Sequence, residues 1–313
     1  MTGYLIRRIA QLIPVVLVVS LVLFLLLRLM PGDPTLAILG QEATAEDRAV
    51  LRSDLGLDVP LWQQFTQWLG GLVTGDLGSS WLTDEQVSAV ITERLAATVE
   101  LGLIALLFAV VIGIPAGIVA AVRARTRTDT VLNSTGLVAL SAPHFYLAAL
   151  LILVFALWLR ILPASGYVPF TEDPVQNLRH MVLPAVTIGS TIAAVTMRQT
   201  RAALLAAFGE DYIRTAEASG LSRRRIVGVY ALRNAVVPVV TVVALQIGAL
   251  MSATVVTETV FTVPGMGTLI VNGIFSRDLP VVQGAVLMVV VFVLLVNLLA
   301  DLVYAWLDPR ITY

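Results

Sequence analysis

The residue types that do covalent or metal chemistry are scarce in this chain. Its two histidines, His144 and His180, lie far apart and belong to no metal-spaced cluster. It has no cysteine, which excludes disulfides, thiolate metal sites and cysteine nucleophiles. It carries no G-x-x-x-x-G-K-S/T loop, so any ATP hydrolysis it depends on must occur on another chain. Glu100, Glu258 and Asp301 fall near the ends of apolar runs, and only His144 is central to one. An ATP-independent channel or secondary transporter, which places ionisable groups at the bilayer centre, therefore lacks its machinery here. The pattern that remains is mechanical: DYIRTAEASGLSRRRIVGVYALRNAVVPVV, residues 211–240, is polar, helix-patterned and broken by glycine in a chain otherwise mostly lipid-soluble.

Within that stretch Asp211 can cap a short helix, with Tyr212, Ile213 and Ala216 on one face and Arg214 and Glu217 pointing elsewhere. Gly220 supplies the left-handed residue that ends such a helix without a Cβ clash, Leu221 follows it, and Ser222 is placed to cap the next helix. Arg223, Arg224 and Arg225 then occupy a first turn, where the helix dipole disfavours cations. The positive-inside rule accounts for the arginines taken singly. The whole pattern is a helix, a sharp turn and a helix, placed where the membrane part meets something soluble.

The elements that must position this loop follow from hydropathy. Of 313 residues 58% are hydrophobic and 13% charged, and the mean hydropathy is +0.90, which makes the chain a polytopic membrane protein rather than a soluble domain. With a net charge of -1, nothing favours a nucleic-acid partner. Six spans are expected, at about 4–30, 96–122, 131–159, 180–205, 235–257 and 281–306. The first is too long for a signal peptide, and no small-residue cleavage site follows it. Both ends are expected on the inner side, which puts thirteen of the twenty arginines at or near that side and seven outside.

Residues 31–94 form the one long polar region and are expected outside, as a helical insertion after the first span. Thr44 with Asp47 starts a short helix that Gly56 ends, Leu61 to Val73 is amphipathic with Phe65, Trp68, Leu69 and Leu72 on one face, and Thr83 with Gln86 reads as a further cap. The second span carries Gly113 and Gly117 around Pro115, a spacing for close helix packing. The third is interrupted at Pro143 and His144, read as a proline kink with a break lining a substrate passage as the alternative. Gly265 and Gly267 among apolar residues predict a short hairpin tucked into the membrane surface before the sixth span, which ends at LDPRITY inside.

The 211–240 stretch resembles the EAA loop of bacterial ABC importer permeases, in the form used by oligopeptide, dipeptide and nickel permeases, with Ala216, Gly220 and Leu232 at the matching positions. Arg214 stands where the general consensus has glutamate and Arg233 where it has proline, with Pro238 coming later. YLIRRIAQLIPVV, LRLMPGDP, ETVFTVPGMGTLIV, RDLPVVQG and VNLLADLVYAWLDPRITY also look like the B-type permease subunit of peptide importers. The resemblance implies an all-α type I ABC importer permease fold, divided into residues 1–30 with the first span, 31–94 outside, and a core permease domain 95–313 with its coupling loop at 206–234. It implies a homologous C-type permease, two ATPase subunits or one fused ATPase holding ATP and Mg, and an extracytoplasmic peptide-binding protein, in a bacterial inner membrane. This chain itself would bind no cofactor and catalyse no reaction. Asp211, Tyr212, Arg214, Ala216, Glu217, Gly220, Leu221 and Arg223 would serve coupling, and Pro143 and His144 the passage. Nickel, glutathione and heme are alternative cargoes within the same family.

Overall fold

The computed structural model describes residues 2–29, 32–40 and 42–307. In chain order the helices are α1 (Thr2–Leu29), α2 (Pro34–Leu39), α3 (Ala45–Asp54), α4 (Leu61–Thr74), α5 (Val87–Val122), α6 (Arg127–Ser141), α7 (His144–Leu151), α8 (Pro174–Phe208), α9 (Asp211–Ala218), α10 (Arg223–Arg225), α11 (Leu232–Phe261), α12 (Met266–Ser276) and α13 (Leu279–Leu307). Two π-helical segments join them, Ile152–Trp158 after α7 and Ile226–Ala231 between α10 and α11. Among the described residues five unbroken helical stretches are long and apolar enough to cross a membrane. The chain is therefore an all-α, multi-pass membrane protein.

Contacts divide the chain into two compact units, Met1–Ala97 with Pro264–Leu294, and Thr98–Val263 with Leu295–Tyr313. The long helices α5 and α13 each contribute residues to both. The expected inner carboxyl terminus, 308–313, lies outside the described residues.

In the first unit local chemistry does what it should. Thr44 caps α3 and exchanges hydrogen bonds with Asp47, a complete capping box. Gly56 at φ +64° then ends the helix, with Leu57 N donating to Arg52 O and Gly56 N to Ser53 O. The apolar face of α4 is covered rather than free: Phe65 meets Phe24 of α1 edge-on and Trp68 stacks on it, with ring centroids 5.3 and 6.2 Å away. The expected cap at Thr83 does not form. Ser80 holds that segment instead: its hydroxyl donates to Asp278 and accepts from the backbone N–H of Leu82 and Thr83, and α5 starts only at Val87. A contact from almost 200 residues away overrides the local signal. The predicted hairpin before the last span is α12 turning into the start of α13, with Met266 buried beside Val281 and Ala285.

In the second unit α8 is the central helix, with long buried stretches from Met181 to Ala207. It begins at Pro174, six residues before the expected start, because Asp173 accepts from the N–H of Val175 and Gln176 and proline suits the first helical position. The glycines of α5 bear on its backbone: a Cβ on Gly113 would stand 2.7 Å from Ala193 O, and one on Gly117 2.6 Å from Met197 O. The reverse holds at Gly189, where a Cβ would meet Ala105 O at 2.7 Å. Small residues here let the two helices pack backbone to backbone.

The third expected span is not a kinked helix. Proline at 143 drives Ala142 out of the helical region, to φ -74° and ψ 126°, and α6 and α7 diverge by 109° across the break. Neither half, with α7 counted through Trp158, is longer than 15 residues, so neither alone spans about 30 Å of hydrocarbon.

Candidate functional site

Eight residues make an isolated helix marginal in water, so α9 must be held by packing. Ile213 and Ala216, three positions apart, are 2% and 5% exposed. They join one core with Ala121 of α5, Leu204 and Ala207 of α8, and Ala235 of α11. Ile226 and Ala231, at the two ends of the π segment, complete it. The floor under α9 is thus made by the ends of three long helices.

The opposite face is polar and open. Asp211, Arg214 and Glu217 are all exposed, and Arg214 Nη1 donates to Asp211 Oδ1 at 3.2 Å across one turn. Asp211 stands at the first helical position instead of the cap, which falls on Glu210 and carries no side-chain hydrogen bond. Tyr212, at the edge of the two faces, accepts a hydrogen bond from Asn234 Nδ2 at 2.7 Å. Both residues line a shallow cavity of about 340 Å³ with Ala203, Ala206, Glu210 and Pro238.

The turn after α9 is a complete glycine stop. Gly220 sits at φ +76°, its N–H donates to Glu217 O at 2.9 Å, and Leu221 N donates to Ala216 O at 3.2 Å. Leu221 packs back on the core under the helix. Nothing lies within 4 Å of a Cβ built on Gly220, so the demand for glycine is conformational and not spatial. Ser222 occupies the next cap position, but its side chain makes no cap bond; its carbonyl accepts from Arg225 N and Ile226 N. Arg223 reaches Val122 O at 3.4 Å, the last carbonyl of α5, where a cation offsets the helix dipole.

The predicted loop residues are therefore brought together, in two roles: Ala216, Gly220 and Leu221 build the support, and Asp211, Arg214 and Glu217 face outward. Pro143 and His144 stand elsewhere, at the α6–α7 break, where His144 Nδ1 is buried with no hydrogen-bond partner among the described residues. Sequence reasoning missed Asn234, whose partner is 22 residues away, and an ion pair between α6 and α8. Arg201 of α8 holds Asp129 of α6 with Nε–Oδ1 2.7 Å and Nη2–Oδ2 2.8 Å. Asp129, the one acid directly after Arg123, Arg125 and Arg127, was the available signal for it.

Comparison with known proteins covers the whole chain. Residues 113–313 match the family described as binding-protein-dependent transport system inner membrane component, and residues 1–102 match the amino-terminal part of such membrane components. The dipeptide transport system permease protein DppB of Escherichia coli K12 is 38% identical, over 100% of this chain and 99% of that protein. The protein of the same name from Alkalihalophilus pseudofirmus is 37% identical over 100% of both. Among solved structures, an inward-facing form of the MetNI methionine ABC transporter superposes with a TM-score of 0.58 at 16% identity, covering 71% of this chain and 97% of that one. An amino acid ABC transporter with histidines gives 0.53 at 14% identity, over 70% and 94%. These likenesses establish the fold as that of ABC importer permeases.

Proposed function

Because the chain belongs to the family of binding-protein-dependent transport system inner membrane components, we propose that it is a permease subunit through which an ATP-driven importer carries di- and oligopeptides across a bacterial inner membrane. The peptide cargo rests on relatives that carry dipeptide permease names over their full length. Counting α6 and α7 as one broken span gives six crossings with both termini in the cytoplasm. ATP and Mg are bound by partner ATPase subunits or a fused ATPase, and this chain holds no cofactor and catalyses nothing itself. A homologous C-type permease completes the passage, and an extracytoplasmic binding protein delivers the peptide.

The observation that carries the mechanism is the two-sided build of α9. Its outer face offers Asp211, Arg214 and Glu217 to a groove on the ATPase, with Tyr212 at the rim. Its inner face, Ile213 and Ala216, shares a close-packed core with α5, α8 and α11. A packed core transmits displacement instead of absorbing it, so closure of the ATPase pair moves the ends of all three helices together. Rocking of this kind alternates the opening of the passage. Gly220 and Leu221 set the angle of α9, while Arg223 ties the loop to α5 and adds a polar contact to the ATPase. Pro143 and His144, at a helix break, line the passage for substrate.

Since the chain has no cysteine, single cysteines can be placed freely. Glu217→Cys is expected to cross-link to an ATPase subunit in the assembled complex, and Ala216→Cys is not. Reconstituted vesicles should take up labelled dipeptide only with ATP inside and binding protein outside. Uptake without ATP, or equal cross-linking at both positions, would sink the proposal.

A further inference from the structure

Three consecutive residues of the second unit, in the segment that joins the π-helical turn after α7 to α8, each bond a different long helix. Gly166 N donates to Phe261 O at 2.9 Å and to Thr262 Oγ1 at 3.0 Å, where α11 ends. The Tyr167 hydroxyl donates to Glu100 Oε2 of α5 at 2.9 Å, and Val168 O accepts from Asn177 Nδ2 of α8 at 2.8 Å. We propose that residues 166–168 are a positioning clasp that makes α5, α8 and α11 move as one body, so that a displacement entering under α9 reaches the far end of the three helices. The clasp rests on the coupling role of α9 proposed above.

The helices joined are the three whose other ends lie under α9. Ala121 of α5, Leu204 of α8 and Ala235 of α11 belong to the core beneath the coupling helix, whereas Glu100, Asn177 and Phe261 of the same helices meet the clasp. At about 1.5 Å per residue, roughly 30 to 40 Å of helix separates the two sets. Helices held together at one end alone are free to splay about their contacts. Held at both ends, they translate and rotate as a unit, which is what rigid-body rocking requires.

The bonds of the clasp resist opening. Asn177 and Phe261 are buried. Glu100 Oε1 and Asn177 Oδ1 are buried with no hydrogen-bond partner among the described residues, so the clasp supplies the one hydrogen bond that each of these side chains makes there. Releasing Tyr167 or Val168 would leave a carboxyl or an amide with none, and that costs more than the bond itself contributes. Such a contact suits a joint that stays shut through the transport cycle, not a gate that opens in each turn.

The test measures ATP hydrolysis and uptake of labelled dipeptide together, with the full chain assembled with its ATPase subunits in vesicles and binding protein outside. Tyr167→Phe is expected to keep hydrolysis and the Glu217→Cys cross-link while the peptide moved per ATP falls about fivefold, the ratio that one hydrogen bond provides. Glu100→Gln, whose amide oxygen still accepts from Tyr167, should keep the parent ratio. Tyr167→Phe with Glu100→Leu replaces both partners by apolar groups, so thermal stability should return to near that of the parent while the ratio stays low; a merely structural bond would restore both. Tyr167→Cys with Glu100→Cys should be uncoupled, and a bis-maleimide long enough to bridge the two should restore the ratio. Parent-like peptide per ATP in Tyr167→Phe overturns the proposal. So does a bridged pair that hydrolyses ATP but takes up nothing, which would make the segment a gate. Uptake by the parent without ATP is a separate result, which would sink the coupling role of α9 and the clasp with it.

Discussion

Arg201 and Asp129, 72 residues apart, meet in a two-pronged ion pair, with Asp129 also accepting from Arg125 N at 2.9 Å and Asn133 Nδ2 at 2.6 Å. The pair fastens the start of α6 to α8 ten residues before α9 begins. Removing Arg201 strands the mostly buried Asp129 carboxylate, so Arg201→Met is expected to cost about 2 to 4 kcal/mol. The double variant Asp129→Leu with Arg201→Met should recover part of that. Thermal unfolding of the detergent-purified chain checks both, and a double variant no better than the single would refute the pairing argument.

Gly220 separates conformation from space. With φ +76° and open surroundings, Gly220→Asn should be tolerated, since asparagine visits the left-handed region. Gly220→Val should cost roughly 1 to 2 kcal/mol locally and misplace α9. Complex assembly and ATP-dependent uptake should follow the same order. Normal assembly and uptake by the valine variant would remove Gly220 from the mechanism.

The α5–α8 contact makes the opposite case. At Gly117 a single methyl would stand 2.6 Å from a backbone oxygen that cannot step aside, so Gly117→Ala should lose about 1 to 3 kcal/mol. Gly228, in the π segment, has nothing within 4 Å of an added Cβ, and Gly228→Ala should leave stability near that of the parent. Heat-induced aggregation monitored by size-exclusion chromatography distinguishes the two.

Two cap positions that look alike in sequence should respond differently. Asp173 accepts two backbone hydrogen bonds at the start of α8, and its replacement by alanine should cost about 1 kcal/mol. Ser222 makes no side-chain cap bond, so Ser222→Ala should stay within about 0.5 kcal/mol. Equal losses in denaturant titrations would mean that Ser222 caps its helix after all.

What could be read from the sequence was local. Apolar run length marks spans; Thr44 with Asp47, and the glycines at 56 and 220, act through bonds between residues three to five positions apart. The loop could be found because its polarity and its glycine break stand out against lipid-soluble neighbours. The sequence also singled out Ile213 and Ala216 as sharing a face with Tyr212, but not which of the three goes under. The structure buries Ile213 and Ala216 and leaves Tyr212 at the rim, because only the ends of α5, α8 and α11 define where the floor is.

The rest was decided at long range. Thr83 has the residues of a cap and makes none, since Asp278 claims Ser80 and redirects the turn. Pro143 announces an interruption, yet the 109° divergence of α6 and α7 goes with their different packing, α6 on α8 and α7 on both α8 and α11. Arg201 selects Asp129 across 72 residues, and Asn234 selects Tyr212 across 22, separations that helical periodicity does not relate. Hydropathy and hydrogen bonds within one turn act along the chain and are written in its order. Ion pairs, backbone-to-backbone glycine contacts and the burial of one helix face depend on which segments meet, and that only tertiary packing decides.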